Sequence, residues 1–283
     1  MPVDAPPAAG GLHRIPWVAL GEQIGLNAWP MFLMLLAMAI VAAGGVAAWR
    51  IHGRHPQGDT TQPVRTGFIQ RLGLGLVLSF ATVLAAAIGF SALARLQGNG
   101  RTLQLFDEAL SQAVGASVPH AALTAFGWLT HLGEPKLLIA LGIGLTLGLW
   151  LNRRRGLALG WAAALGGNAV LNPMLKGVFE RARPVHADIA VPAMGFSFPS
   201  GHSSGAMVTY GMLAYLAWRL LPPRWHVAAI MAATAVILTT AASRVFLRVH
   251  FASDVLAGLC SGGAWLALCI GSIEWGRRRA VRG

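Results

Sequence analysis

The chain has 283 residues, of which 55% are apolar and only 11% are charged, and its formal net charge is +12. Soluble domains carry about a quarter charged residues. The composition therefore excludes a single soluble α/β or all-β domain, and it excludes a disordered chain, which must be poor in apolar residues. The 22 Lys and Arg are spread between long uncharged apolar blocks rather than clustered on one basic face, so nucleic acid is not an expected partner. The class that fits is an integral membrane protein whose positive charge reflects its topology.

A membrane-crossing helix needs about 20 mainly apolar residues. Residues 1–27 precede the first such block and read as a flexible segment, with Trp17 and Trp29 suited to the interface. The blocks at 29–49, 72–94, 137–151, 157–175, 206–221, 227–242 and 255–273 then predict seven transmembrane helices. The first reads as a retained anchor rather than a cleavable signal, because its long leader contains Asp4, Glu22 and several prolines. Residues 28–71 thus form an anchor followed by a basic loop, 72–273 the main bundle, and 274–283 a basic tail.

Between the second and third blocks, Leu103, Phe106, Leu110 and Val114 recur at helical spacing beside Asp107, Glu108 and Gln112. They predict an amphipathic helix lying on the outer interface or packed against its own bundle. Gly73, Gly75, Gly142, Gly144 and the Gly258–Gly262 pair read as close helix contacts. Cys260 and Cys269, separated by roughly 13 Å of helical rise, read as packing residues.

With seven alternating spans the basic residues sort by side. Arg50, Arg54, Arg65, Arg71, Arg153, Arg154, Arg155, Arg219, Arg224, Arg277, Arg278, Arg279 and Arg282 fall on one side. The other holds Arg14, Arg95, Arg101, Lys136, Lys176, Arg181, Arg183, Arg244 and Arg248. Thirteen against nine makes the first side cytoplasmic. Five of the nine lie in two short polar segments that topology alone does not account for.

Three clusters end up on that second side. In the first, Lys176 and Arg183 are seven residues apart and share a helix face if the helix runs on to the break at Pro184. An ordinary snorkelling rim is the alternative. In the second, Pro199-Ser200-Gly201-His202 precedes an apolar block as a helix start. Its free amides and positive dipole suit a phosphate oxygen, and Gly201 permits close approach; a plain capped helix with an interfacial His is the alternative. In the third, Ser243-Arg244 precedes His250 and Asp254, whose four-residue spacing lets the carboxylate reach one imidazole nitrogen. A simple ion pair at a helix start is the alternative. Together they supply three cations, a helix-terminal amide nest, two histidines and an orienting carboxylate, the parts needed to move a phosphoryl group without metal.

The combination K-x6-R-P at Lys176–Pro184, P-S-G-H at Pro199–His202 and S-R-x5-H-x3-D at Ser243–Asp254 resembles the signature of the type 2 phosphatidic acid phosphatase (PAP2) superfamily. The resemblance implies an all-α polytopic transmembrane bundle, with a six-helix core over 72–273 and one additional N-terminal helix. It implies that His250 is the nucleophile that becomes a phosphohistidine, that Asp254 holds its ring, and that His202 protonates the leaving oxygen and then activates water. Lys176, Arg183, Arg244 and main-chain amides near Ser200 and Gly201 would bind the phosphate. One departure is Arg248, where many members carry Gly; it adds positive potential at the phosphate mouth or points to headgroups.

The expected activity is hydrolysis of a lipid phosphate or diphosphate on the non-cytoplasmic face of the cell membrane. Phosphatidic acid, phosphatidylglycerol phosphate and undecaprenyl diphosphate are the candidates, and membrane lipids the surroundings. A lipid-linked phosphotransferase using the same site, or a silent lipid-binding or transport protein, are the alternatives. No cofactor is expected. Nor is a metal: the nine histidines include no close pair with carboxylates at ligand spacing, and His52 and His55 sit in a basic loop. The two reacting histidines need opposite protonation states, which predicts a bell-shaped rate profile.

Overall fold

The computed structural model describes residues 15–52, 64–98, 101–184 and 195–280. The first fourteen residues of the N-terminal segment, Arg54 and His55 of the basic loop, and Arg282 of the tail lie outside the described residues. Among the described residues there is no strand. The helices are α1 (Pro16–Leu26), α2 (Ala28–His52), α3 (Val64–Gly98), α4 (Arg101–Ser117), α5 (His120–Leu129), α6 (Pro135–Leu151), α7 (Arg155–Phe179), α8 (Gly201–Leu220), α9 (His226–Phe246) and α10 (Ala252–Ala280). Short 3₁₀ turns at Thr130–Gly133 and Pro223–Trp225 precede α6 and α9. The protein is an all-α transmembrane bundle.

Among the described residues, α2, the Ala81–Gly98 part of α3, α9 with its preceding turn, and α10 are each long and apolar enough to cross a bilayer; α5 and α6, bent by 40° about the 3₁₀ turn, make a fifth candidate span if taken as one. The sequence count of seven exceeds this because α7 and α8 fall short on apolarity. They carry Asn168 and Asn172, and Ser203, Ser204 and Thr209, all turned into the bundle. Inward-facing polar groups lower a helix's hydropathy without facing lipid.

Within the stretch read as flexible, residues 16–26 are helical. α1 lies against α4 so closely that a Cβ at Gly21 would sit 2.6 Å from the Phe106 carbonyl oxygen. Ser117 Oγ donates to the Gly25 carbonyl at 3.0 Å. The predicted amphipathic helix is α4, with Leu110 and Val114 buried in a core shared with Phe126, Phe246 and Val249. The Phe126 and Phe246 rings stack at 4.6 Å, which fixes the end of α9 over α5. A second core, built on Trp161, Val208 and Met212, joins α6, α7 and α8.

α10 packs along α3 and α8. The α8 contact runs through the predicted glycine pair: a Cβ at Gly258 would sit 2.5 Å from the Ser200 carbonyl oxygen, and one at Gly262 2.8 Å from that of Ser204. Only backbone-on-backbone approach fits there. The end of α7 and the starts of α8 and α10 thereby meet at one end of the bundle. At the opposite end Arg153, Arg154 and Arg155 share a small cavity with Ser272 and Arg277, and Arg219 lies 3.8 Å from Glu274.

Candidate active site

α7 stops earlier than the spacing of Lys176 and Arg183 suggested. Glu180 adopts a left-handed conformation (φ 43°) and its N–H closes the last turn on the Lys176 carbonyl at 3.0 Å. Arg181 to Pro184 follow outside any helix, so Lys176 and Arg183 do not share a helix face. They meet through the returning chain instead. Lys176 Nζ donates to the Phe196 carbonyl oxygen, and Arg183 Nε donates to that of Gly195 at 2.9 Å.

Ser200 caps α8, accepting the Ser203 N–H at 3.5 Å. Its own N–H donates to the Asp254 carbonyl oxygen at 2.9 Å, pinning the start of α8 to the start of α10. That amide is thus committed, and Ser200 is fully buried; Gly201 and His202 line the cavity below. Gly201 faces Asn172 so closely that a Cβ would lie 3.0 Å from its Oδ1.

Arg244 occupies the last turn of α9, 3% exposed. Its Nη1 donates to Thr130 Oγ1 at 2.6 Å, while its buried Nε–H has no partner. The chain then turns: the N–H groups of Val249 and His250 both reach the Arg244 carbonyl at 3.1 Å. His250 therefore precedes α10 rather than lying on it, and Asp254 sits in the first turn, where its Oδ2 accepts the Phe251 N–H at 2.9 Å. This turn, not a continuous helix, brings the carboxylate to the imidazole.

His250 is 2% exposed. Its Nε2 lies 3.1 Å from Arg183 Nη1. A guanidinium only donates, so Nε2 carries the lone pair and the proton resides on Nδ1. Nδ1 faces Ser197 Oγ at 3.2 Å and Asp254 Oδ2 at 3.5 Å. Ser197 in turn donates to Asp254 Oδ2. Burial holds the imidazole down to about 4 despite the opposing pull of Asp254, so at neutral pH it is uncharged. Burial also lowers Arg183, against the attraction of Asp254.

Four participants escaped the sequence reading. Arg181 Nη1 donates to Asp254 Oδ1 at 2.7 Å and to Ser253 Oγ at 2.6 Å, while Nη2 donates to Asp107 Oδ2 at 2.8 Å. Ser253 donates through its hydroxyl and its N–H (3.3 Å) to Asp107. Ser197 bridges His250 and Asp254 as above. A signal for Asp107 did exist: it stands four residues after Leu103 and seven before Val114, inside the apolar stripe of α4. Arg181, Ser197 and Ser253 flank the motif positions without a spacing of their own. Arg248 lies away from the site. Its backbone is left-handed (φ 56°), a conformation suited to Gly, and its guanidinium rests against Gly115 of α4.

Lys176, Arg183, Gly201, His202, Arg244 and His250 all line one cavity of about 950 Å³. From this polar end it runs between α6, α7 and α8, past Leu138, Ile143 and Leu147 to Trp150. Pro135 to Trp150 spans roughly 22 Å of helix, so the apolar part is as deep as much of one bilayer core. Among the described residues no group of three or more His, Cys, Asp or Glu is arranged to hold a metal ion.

The sequence profile of the PAP2 superfamily matches residues 155–278. The chain is 33% identical over 192 residues to phosphatidylglycerophosphatase B of Bacillus subtilis, a match covering 65% of this chain and 86% of that protein. It is 33% identical over 179 residues to a lipid A 1-phosphatase of Rhizobium etli, covering 55% of this chain and 73% of the relative. Among solved structures, the transmembrane PAP2 type phosphatidylglycerolphosphate phosphatase from Bacillus subtilis superposes with a TM-score of 0.64 at 30% identity, over 68% of this chain and 96% of its own.

Proposed function

This chain belongs to the PAP2 superfamily of membrane lipid phosphatases, and from that premise we propose that it hydrolyses a lipid phosphate or diphosphate through a phosphohistidine at His250. The observation that carries this reading is the shared cavity: an uncharged His250, three cations and His202 at its polar end, and a lipid-length apolar groove beneath.

The phosphoryl group enters where Arg183 now contacts Nε2, and the guanidinium transfers its donors from nitrogen to phosphate oxygens. Lys176 and the unpartnered Nε–H of Arg244 add positive charge on other sides. His250 Nε2 attacks phosphorus; the N–P bond forms as the ester P–O bond breaks. His202 protonates the departing lipid oxygen, and the incoming dianion favours the charged form of that imidazole. In the second step His202 takes a proton from water, which attacks phosphorus and releases inorganic phosphate and neutral His250. Asp254 faces the Nδ1–H throughout and stabilises the imidazolium.

Charge that a divalent metal would supply comes from Lys176, Arg183 and Arg244, so activity is expected to survive EDTA. The basic opposite end supports a cytoplasmic placement for Arg153–Arg155 and Arg277–Arg279, and an outward-facing site in a bacterial inner membrane. Phosphatidylglycerol phosphate and phosphatidic acid are the favoured substrates, with lipid A 1-phosphate and undecaprenyl diphosphate next.

The test is phosphate release by the purified protein over a panel of these four lipids, with and without EDTA. His250→Ala is expected to abolish release, and His202→Ala to lower kcat by roughly 10²–10⁴-fold. Normal turnover by His250→Ala would overturn the assignment.

A further inference from the structure

We propose that Asp107 and Arg181, outside every residue assigned to the chemistry above, are positioning residues that fix the reacting imidazole through Asp254. The inference rests on the phosphatase reading of the same site.

Asp254 orients His250 only if its own carboxylate cannot rotate. Oδ2 is held by Ser197 and the Phe251 N–H, and Oδ1 takes one edge of the Arg181 guanidinium at 2.7 Å. The other edge is anchored by Asp107 at 2.8 Å, and the guanidinium plane rests on the Phe251 ring at 4.5 Å. Arg181 is thus clamped between two fully buried carboxylates. Besides Arg181, Asp107 holds Ser253 in the first turn of α10. It projects from the apolar stripe of α4, and burial pushes its carboxyl up, opposed by Arg181 and Ser253.

A buried charge in such a stripe is weak support for stability, since apolar residues often serve there as well or better. What the carboxylate does supply is direction. Arg181 has two edges to satisfy, and with Asp254 and Ser253 holding only the Nη1 edge the fork can pivot toward the polar cavity on its far side, lined by Gln97, Glu108 and Gln112. Asp254 then loses its fixed Oδ1 donor, and the imidazole loses its aim. Asp107 stands outside the three motifs and outside residues 155–278, so α4 brings to the reaction a residue that the motifs do not contain. Displacements of about 1 Å in reacting groups lower rates by about 10²-fold.

The experiment measures kcat, KM and thermal stability for wild type, Asp107→Asn, Arg181→Gln and the double variant, using dioctanoyl phosphatidic acid in detergent. Asp107→Asn is expected to lower kcat by about 10–100-fold while KM stays within about threefold. The double variant is expected to be no worse than Arg181→Gln, because both changes break one clamp. Should Asp107→Asn not fold, Arg181→Lys reads the same geometry: an ammonium cannot fork onto both carboxylates, and the same loss of kcat is expected. A kcat equal to wild type, a loss that only follows the folded fraction, or a raised KM with kcat intact overturns the proposal. Wild-type turnover that disappears in His250→Ala yet persists in Asp107→Asn overturns this inference alone. A wild type inactive on every lipid phosphate overturns the functional reading with it.

Discussion

His250 is almost wholly buried, at the polar end of the cavity, and its chemistry follows from that burial. It stays neutral down to about pH 4 in the folded protein, whereas an imidazole in the unfolded chain titrates near 6.5. Between those values the unfolded state binds the extra proton, so this group's contribution to stability is complete above about pH 6.5 and is lost as pH falls to about 4. Asp107, raised by burial, works in the opposite sense, because the folded state takes up its proton more readily. Comparison with His250→Asn isolates the imidazole: the wild-type melting temperature is expected to fall more steeply from pH 6.5 to 4 than that of the variant. Parallel profiles would contradict the burial argument. In turnover, the same depressed value puts the acid limb of the unloaded protein below pH 6.5; burial and the nearby Arg244 lower His202 further, to about 3, so its charged form depends on the bound phosphate. An alkaline limb from His202 is therefore expected in kcat, which reports the loaded enzyme, and is expected to vanish in His202→Gln; an unchanged limb would assign it elsewhere.

At the scale of helices, the site depends on how closely α8 and α10 approach. Ser200 and Ser203 pack directly on Gly258, so Gly258→Ala is expected to destabilise the fold by about 1–3 kcal/mol and to lower activity further by shifting the start of α8, which carries His202. Gly263→Ala, where a Cβ meets nothing within 4 Å, is expected to leave both unchanged; equal effects at the two glycines would contradict this packing. The glycine pair, the helix start at Ser200 and the amphipathic α4 were legible because each rests on local spacing or a capping residue. Chain reversals were less so. Nothing local announces that α7 ends at Phe179 or that His250 precedes α10, since Glu180 and Arg248 adopt left-handed backbones without being glycine. The clamp on Asp254 was hidden for a different reason: Asp107 and Arg181 are 74 residues apart, and only tertiary contact reveals a buried pair. α1 was missed because its partner is α4 rather than its own composition.

The whole molecule places a charged pocket at one end of a bundle and a groove of lipid depth beneath it. If the groove holds substrate chains, filling it must discriminate by chain length. Gly166 lines the groove with open space where a side chain would go. Gly166→Leu is therefore expected to raise KM for long-chain phosphatidic acid by about tenfold, the loss of a few buried methylenes, and to spare a dihexanoyl substrate. Equal effects on both would argue against chains in the groove. The positive-inside balance came from a simple count of arginines and lysines, but the groove did not, because its walls come from three helices that read separately as ordinary spans. The central claim is that His250 takes the phosphoryl group from a lipid, and rapid acid-free quenching of the purified protein with ³²P-labelled lipid phosphate tests it most directly. Transient, acid-labile label is expected on the peptide containing His250, lost in His250→Ala together with phosphate release. Phosphate release at the wild-type rate with no label on that peptide would contradict it.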